Sequence, residues 1–212
     1  MTVTSVSKID KTTPDLICPN SKLPLQHEKD SLHSKDGQHI YPLIENIPVF
    51  EGLDEFYENR WSETDTSTGN LRNFLVKKQR FFVNQLKGQQ GTVLDLGCGG
   101  GWKLFTKVGP VTGVDLSHGS LKIAKGIYDQ VVQANWTKLP FADSSFDVVV
   151  SSDVLGHVPY EDKEKVWNEI VRILKPGGLT LHYIEANSTD PLIKKKKKSP
   201  ELYQKYVIDT EG

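Results

Sequence analysis

The chain has 212 residues, 37% of them hydrophobic and 25% charged, with a formal net charge of −1. That composition excludes disorder of the whole chain, and the near-zero charge argues against a general nucleic-acid binder. Two cysteines, Cys18 and Cys98, are too few for a disulfide framework, and no run reaches the roughly 20 apolar residues of a membrane span.

Residues 1–15 are a polar, Ser/Thr-rich tail without the apolar core of a signal peptide, so a soluble cytoplasmic protein is expected. Residues 16–52 carry short strand-like runs broken by Asn20, Asp30, Asp36-Gly37, Pro42 and Pro48, which predicts a small β-rich module. Residues 53–90 hold the aromatic stretch FYENRW, a polar link and then a helix. Its apolar stripe runs through Leu71, Phe74, Leu75, Phe81, Phe82 and Leu86, with Lys78 as the polar exception. From residue 91 to 212 the pattern alternates. Strands are expected at 92–96, 111–115, 130–134, 146–151 and 178–184, and helices at 117–126 and 160–174. Strands as apolar as FDVVVS are buried on both faces, which implies a parallel sheet covered by helices.

The first of these strands, VLDL, runs into Gly97, Gly99, Gly100 and Gly101. A glycine turn after the first strand of such a sheet marks the crevice where ligands bind, because bare backbone can approach them closely. A dinucleotide fingerprint would need a sixth-position glycine, and from Gly97 that position is Trp102.

The spacing Asp95-x-Gly97-x-Gly99-x-Gly101 instead resembles motif I of the class I S-adenosylmethionine (SAM)-dependent methyltransferases. VTGVDLS, LPFADSSFDVVVSSDVLGHV and EIVRILKPGGLTLHY resemble the later motifs of that family, in order. The resemblance implies an α/β fold: a Rossmann-like, doubly wound, mostly parallel sheet with a small β-rich N-terminal module. The strand pair that closes the sheet in relatives is not evident after Tyr183, so the sheet is shortened or the chain belongs to a longer polypeptide.

The same resemblance implies SAM as cofactor and S-adenosylhomocysteine (SAH) as product. Gly97, Cys98, Gly99 and Gly101 form the cofactor loop, and Asp95 organises it or meets the amino end of SAM. Asp115 holds the ribose, Leu116 and Trp136 sandwich the adenine, Asn135 accepts from the adenine amino group, and Ser151 joins the set. His157 stands near the substrate, as a general base or as a residue orienting its loop. A small-molecule or sugar-like acceptor, methylated on oxygen or nitrogen, is expected. An RNA methyltransferase and a non-catalytic SAM- or partner-binding module are the alternatives.

LICPNSKLPL and LHSKDGQHIYPLIENIPVF resemble the zinc-ribbon-like module that precedes some of these cores. Here Ser21, His33 and Asp36 stand for three of its four cysteines, so no metal is expected. Tyr57 and Trp61 would fold over the cofactor or pack. The run Lys194–Lys198 is a solvated loop or an anion contact. The free edge of LTLHYIE invites pairing with a second chain or cover by the tail.

Overall fold

The computed structural model describes residues 13–52 and 69–184. FYENRW and the lysine run lie outside them. Four short strands, β1 (Leu25–Glu28), β2 (Ser31–Ser34), β3 (Ile40–Ile44) and β4 (Ile47–Pro48), form an antiparallel meander in chain order. The β3–β4 turn places both Glu45 and Asn46 at positive φ, the two-residue geometry whose twist matches the flanking strands.

Helix α1 (Gly69–Gln85) leads into the second sheet. That sheet contains β5 (Val93–Leu96), β6 (Val111–Asp115), β7 (Gln130–Gln133), β8 (Phe146–Ser152) and β9 (Leu174–Tyr183). Its order is β7-β6-β5-β8-β9, parallel throughout, with the chain reversing direction of growth beside β5. Helix α2 (His118–Ala124) follows β6, and α3 (Lys163–Ile173) precedes β9. Ser117 caps α2 by accepting from Ser120 N, as its residue type favours. The expected α/β architecture is thus present, with its small β-rich companion.

The central strands are buried on both faces, as their unbroken Val/Leu runs require. One face packs on Phe82, Phe105 and Tyr128, the other on Phe141, Phe146, Ile170 and Ile173. The join between α3 and β9 differs from expectation. The helix expected over 160–174 and the strand expected from 178 leave a linker between them, yet the ladder begins at Leu174. Phe146 pairs with Leu174 and Val148 already with Leu179, so the intervening residues form a bulge within the strand. Gly178 lies there because a Cβ would come 2.9 Å from Asp147 O.

The meander is stitched to the outer edge of β7. Phe50 N donates to Gln133 O at 2.8 Å, Val49 bridges the same residue in parallel, and Ile17 N donates to Pro140 O at 2.9 Å. Ile47 is fully buried in the same cluster as Phe82 and Val111. An edge strand left bare is a pairing hazard, and here the module removes it.

Candidate functional site

The carboxyl ends of β5, β6 and β8 converge on the glycine loop, the place where open parallel sheets bind ligands. Gly97, Gly99 and Gly101 have φ of +70°, +50° and +81°, conformations that disfavour any side chain. Their surroundings differ. At Gly97 a Cβ would lie 2.5 Å from Val154 Cγ1 and 3.0 Å from Trp136 Cζ2, and at Gly101 it would meet Ala124 and Tyr128. At Gly99 nothing lies within 4 Å. Protein fills the space at two of the glycines and leaves the third facing open room.

Asp115 fixes that open face. Its Oδ2 accepts from Gly99 N at 2.7 Å and its Oδ1 from Ser117 N at 2.9 Å. A carboxylate at this place, between the loop and the helix cap, is an acceptor of the kind that suits a ligand's hydroxyls. Leu116 is half-buried beside it. Trp136 lies across the Gly97 side of the loop, and its indole Nε1 is buried without a hydrogen-bond partner. A buried N–H of this kind carries a desolvation cost of about 1–3 kcal/mol unless something accepts from it. The open Gly99, the carboxylate of Asp115 and the orphaned indole together suit a polar, partly aromatic ligand such as SAM.

Other expected residues are engaged within the protein. Asn135 Oδ1 accepts from Thr137 N at 3.0 Å and from Thr137 Oγ1 at 2.9 Å, so both its lone pairs are in use. Cys98 Sγ donates to Gly99 O at 3.4 Å and packs under the loop against Gly113, where a Cβ would come within 2.8 Å. Burial pushes its thiol well above the ordinary value, which keeps it protonated and unreactive. Ser151 is buried and bonds His182 Nδ1 at 2.7 Å. His157 closes a single 3₁₀ turn after β8, its N donating to Val154 O at 3.0 Å.

Asp95 is 3% exposed and sits in β5 opposite Gly113 and Val150. Its Oδ2 accepts from the Tyr128 hydroxyl at 2.6 Å, and that hydroxyl accepts from Trp102 N at 2.6 Å. Burial raises the Asp95 carboxyl to about 7, helped by the charge of Asp115 and opposed by Tyr128 and Lys78. Tyr128 is a functional support that sequence reasoning missed. It precedes β7, far from any motif, and only the three-dimensional return of the chain brings it beneath the loop.

Lys78 explains the break in the apolar stripe of α1. Its Nζ donates to Asp153 Oδ2 at 2.5 Å and lies 5.8 Å from the centroid of Trp102.

In the N-terminal module Cys18 Sγ sits 3.1 Å from Tyr41 Oη, and Ser21 N donates to Cys18 Sγ at 3.3 Å. Ser34 rather than His33 turns toward this cluster. Ser34 donates to Asp36, while His33 bonds Ser31 on the other face. Among the described residues no group of three or more His, Cys, Asp and Glu side chains is placed to hold a metal ion. No helix among them is long and apolar enough to cross a membrane.

Comparison with known proteins agrees with this geometry. Residues 94–182 match a family described as the methyltransferase domain. Sterol 24-C-methyltransferase of Pneumocystis carinii is 26% identical over 175 residues, covering 74% of this chain and 45% of its own. Demethylmenaquinone methyltransferase of Listeria welshimeri is 33% identical over 151 residues, covering 65% of this chain and 62% of its own. A solved structure from Methanococcus maripaludis, described as a candidate SAM-dependent methyltransferase, superposes with a TM-score of 0.53. It is 22% identical and covers 76% of this chain and 78% of its own. Residues 94–182 thus match the methyltransferase-domain family, and the chain shares the fold of the Methanococcus maripaludis structure. The chain spans less than two thirds of the length of either curated relative.

Proposed function

We propose that this chain transfers the methyl group of SAM to an oxygen or nitrogen of a small-molecule or sugar-like acceptor. The observation that carries the reading is the loop at Gly99, open in front and pinned behind by Asp115. Bound SAM supplies a methyl already activated by its sulfonium charge. The protein's share is then alignment, which can contribute about 7–11 kcal/mol to lowering the barrier. Asp115 meets the ribose hydroxyls, Trp136 and Leu116 flank the adenine, and the rigid loop fixes the register. Asn135 is the weakest of the expected adenine contacts, since Thr137 occupies its carbonyl oxygen. His157, one turn beyond β8, orients its loop or takes the acceptor's proton. The module of residues 16–52 is read as a metal-free remnant of a zinc-ribbon-like domain.

Calorimetry with SAM and SAH, followed by transfer of labelled methyl to a panel of alcohols, phenols, amines and sugars, tests the function. The named relatives act on a sterol and on demethylmenaquinone, so apolar and carbon acceptors belong in the panel. Asp115→Ala should weaken SAM binding by about tenfold or more, because charge-assisted acceptors of this kind contribute roughly 1.5–3 kcal/mol. Equal affinity in mutant and parent would remove Asp115 from the ribose site. Binding without transfer to any acceptor class would favour a non-catalytic module.

A further inference from the structure

Resting on the reading of this core as a SAM site, we propose that Lys78 and Asp153 together receive the amino-acid end of the cofactor. The Asp153 carboxylate would take the ammonium and the Lys78 ammonium the carboxylate.

Asp153 is the first residue after β8, at the ligand-binding edge of the sheet, and has φ +61°. A non-glycine residue in the left-handed region costs free energy that the surrounding structure must hold in place. It is held here by Asp153 N donating to Tyr183 O at 2.8 Å. The next residue, Val154, fills the space at Gly97, so the strained turn abuts the cofactor loop directly.

Asp153 Oδ2 accepts from Lys78 at 2.5 Å and from Ser152 Oγ at 3.2 Å. Its Oδ1 is buried and has no hydrogen-bond partner. A buried carboxylate oxygen without a donor is costly, so a cationic N–H group has a ready place there. Asp95, the residue first expected at the amino end, is a poorer acceptor. It is buried inside the strand, its Oδ2 is bound to Tyr128, and burial pushes it toward the neutral form.

Charge complementarity favours the same pair. An α-amino-acid end is a zwitterion, and Lys78–Asp153 is an ion pair with side chains 14% and 25% exposed. A zwitterion laid against such a pair keeps every charge opposed by its counterpart. Lys78 comes from α1 and lies near Trp102, within the glycine-loop segment, so the same contact would seat α1 on the loop.

The test compares two probes, SAH and 5′-methylthioadenosine, which retains the nucleoside and thioether but lacks the amino-acid end. The proteins are the full chain, Asp153→Asn and Lys78→Met. Asn tolerates the left-handed conformation, so the first substitution removes charge without disturbing the turn. The parent should bind SAH at least about tenfold tighter than methylthioadenosine, and each variant should lose most of that preference by weakening SAH alone, as loss of a charged contact implies. A preference for SAH that persists in both variants, or a loss shared equally by the two probes, overturns the assignment. A parent that binds neither probe overturns the SAM reading itself, a different result from an unchanged ratio.

Discussion

The Tyr128 hydroxyl stands between a carboxylate and a backbone amide, donating to Asp95 and accepting from Trp102 N. Tyr128→Phe therefore leaves two buried polar groups short of a partner, each worth about 1–3 kcal/mol. Chemical denaturation should show a loss in that range, and carboxyl NMR should show Asp95 titrating higher still, since the hydroxyl favours its charged form. The sign of the pH dependence follows from Asp95. Its folded value, about 7, lies above the unfolded value of 3.8, so the native state holds a proton that the unfolded state releases. The stability it contributes is fully present below about pH 4 and is lost as pH rises to about 7, at roughly 1.4 kcal/mol per pH unit. His182 acts in the opposite sense. Burial lowers it to about 4, so its contribution is complete above 6.5 and lost as pH falls toward 4. The stability of the parent minus that of Asp95→Asn, followed from pH 4 to 7, isolates the first effect. A flat difference would mean that Asp95 is charged in the folded protein throughout.

At the scale of elements, the segment between β7 and β8 is held from α3. Arg172 forms a two-pronged pair with Glu169, at 2.7 and 2.8 Å, and donates to Phe141 O, Leu139 O and Asp143. Glu169 in turn accepts from Leu139 N at 2.7 Å. Arg172→Ala removes the partner of a half-buried carboxylate and two carbonyls, and should cost about 1–3 kcal/mol on thermal or denaturant melting. An unchanged midpoint would show that water replaces the guanidinium freely. This clamp was not legible in the sequence, because EIVRIL shows only an amphipathic face and not what its polar side meets. The strands were legible, since runs such as VVV in β8 leave few alternatives. So was the glycine loop, whose spacing carries its own steric reason. Where β9 begins was not, because the pairing of Phe146 with Leu174 across a bulge is set by a distant strand. Likewise, which of His33 and Ser34 faces Cys18 depends on strand register, and a shift of one residue reverses it.

Across the whole molecule the two rims of the parallel sheet are treated differently. The β7 rim is covered by the N-terminal meander, while among the described residues β9 pairs only with β8. Backbone groups along Leu179–Tyr183 are therefore positioned for a further strand, from a second copy or from the rest of the chain. Light scattering at low and high salt separates the two. Self-association that strengthens with salt fits pairing between chains whose like charges are screened. A monomer in both conditions, with slow amide exchange along β9, fits cover from within.

The β3–β4 turn has one more partner. Lys122 of α2 pairs with Glu45 at 3.0 Å, and Lys125, which caps the end of that helix, donates from Nζ to Glu45 O at 2.7 Å. Ser117, which caps that helix, is held by the same Asp115 that fixes Gly99. The meander, α2 and the glycine loop are thus coupled links in one cooperative unit. By linkage, a ligand that binds only the folded loop shifts the opening equilibrium of everything that opens with it. Saturating SAH should accordingly slow amide exchange at Leu43 and Val49 as well as at Gly99. Slowing confined to the loop would instead make the meander an independently opening part of the protein.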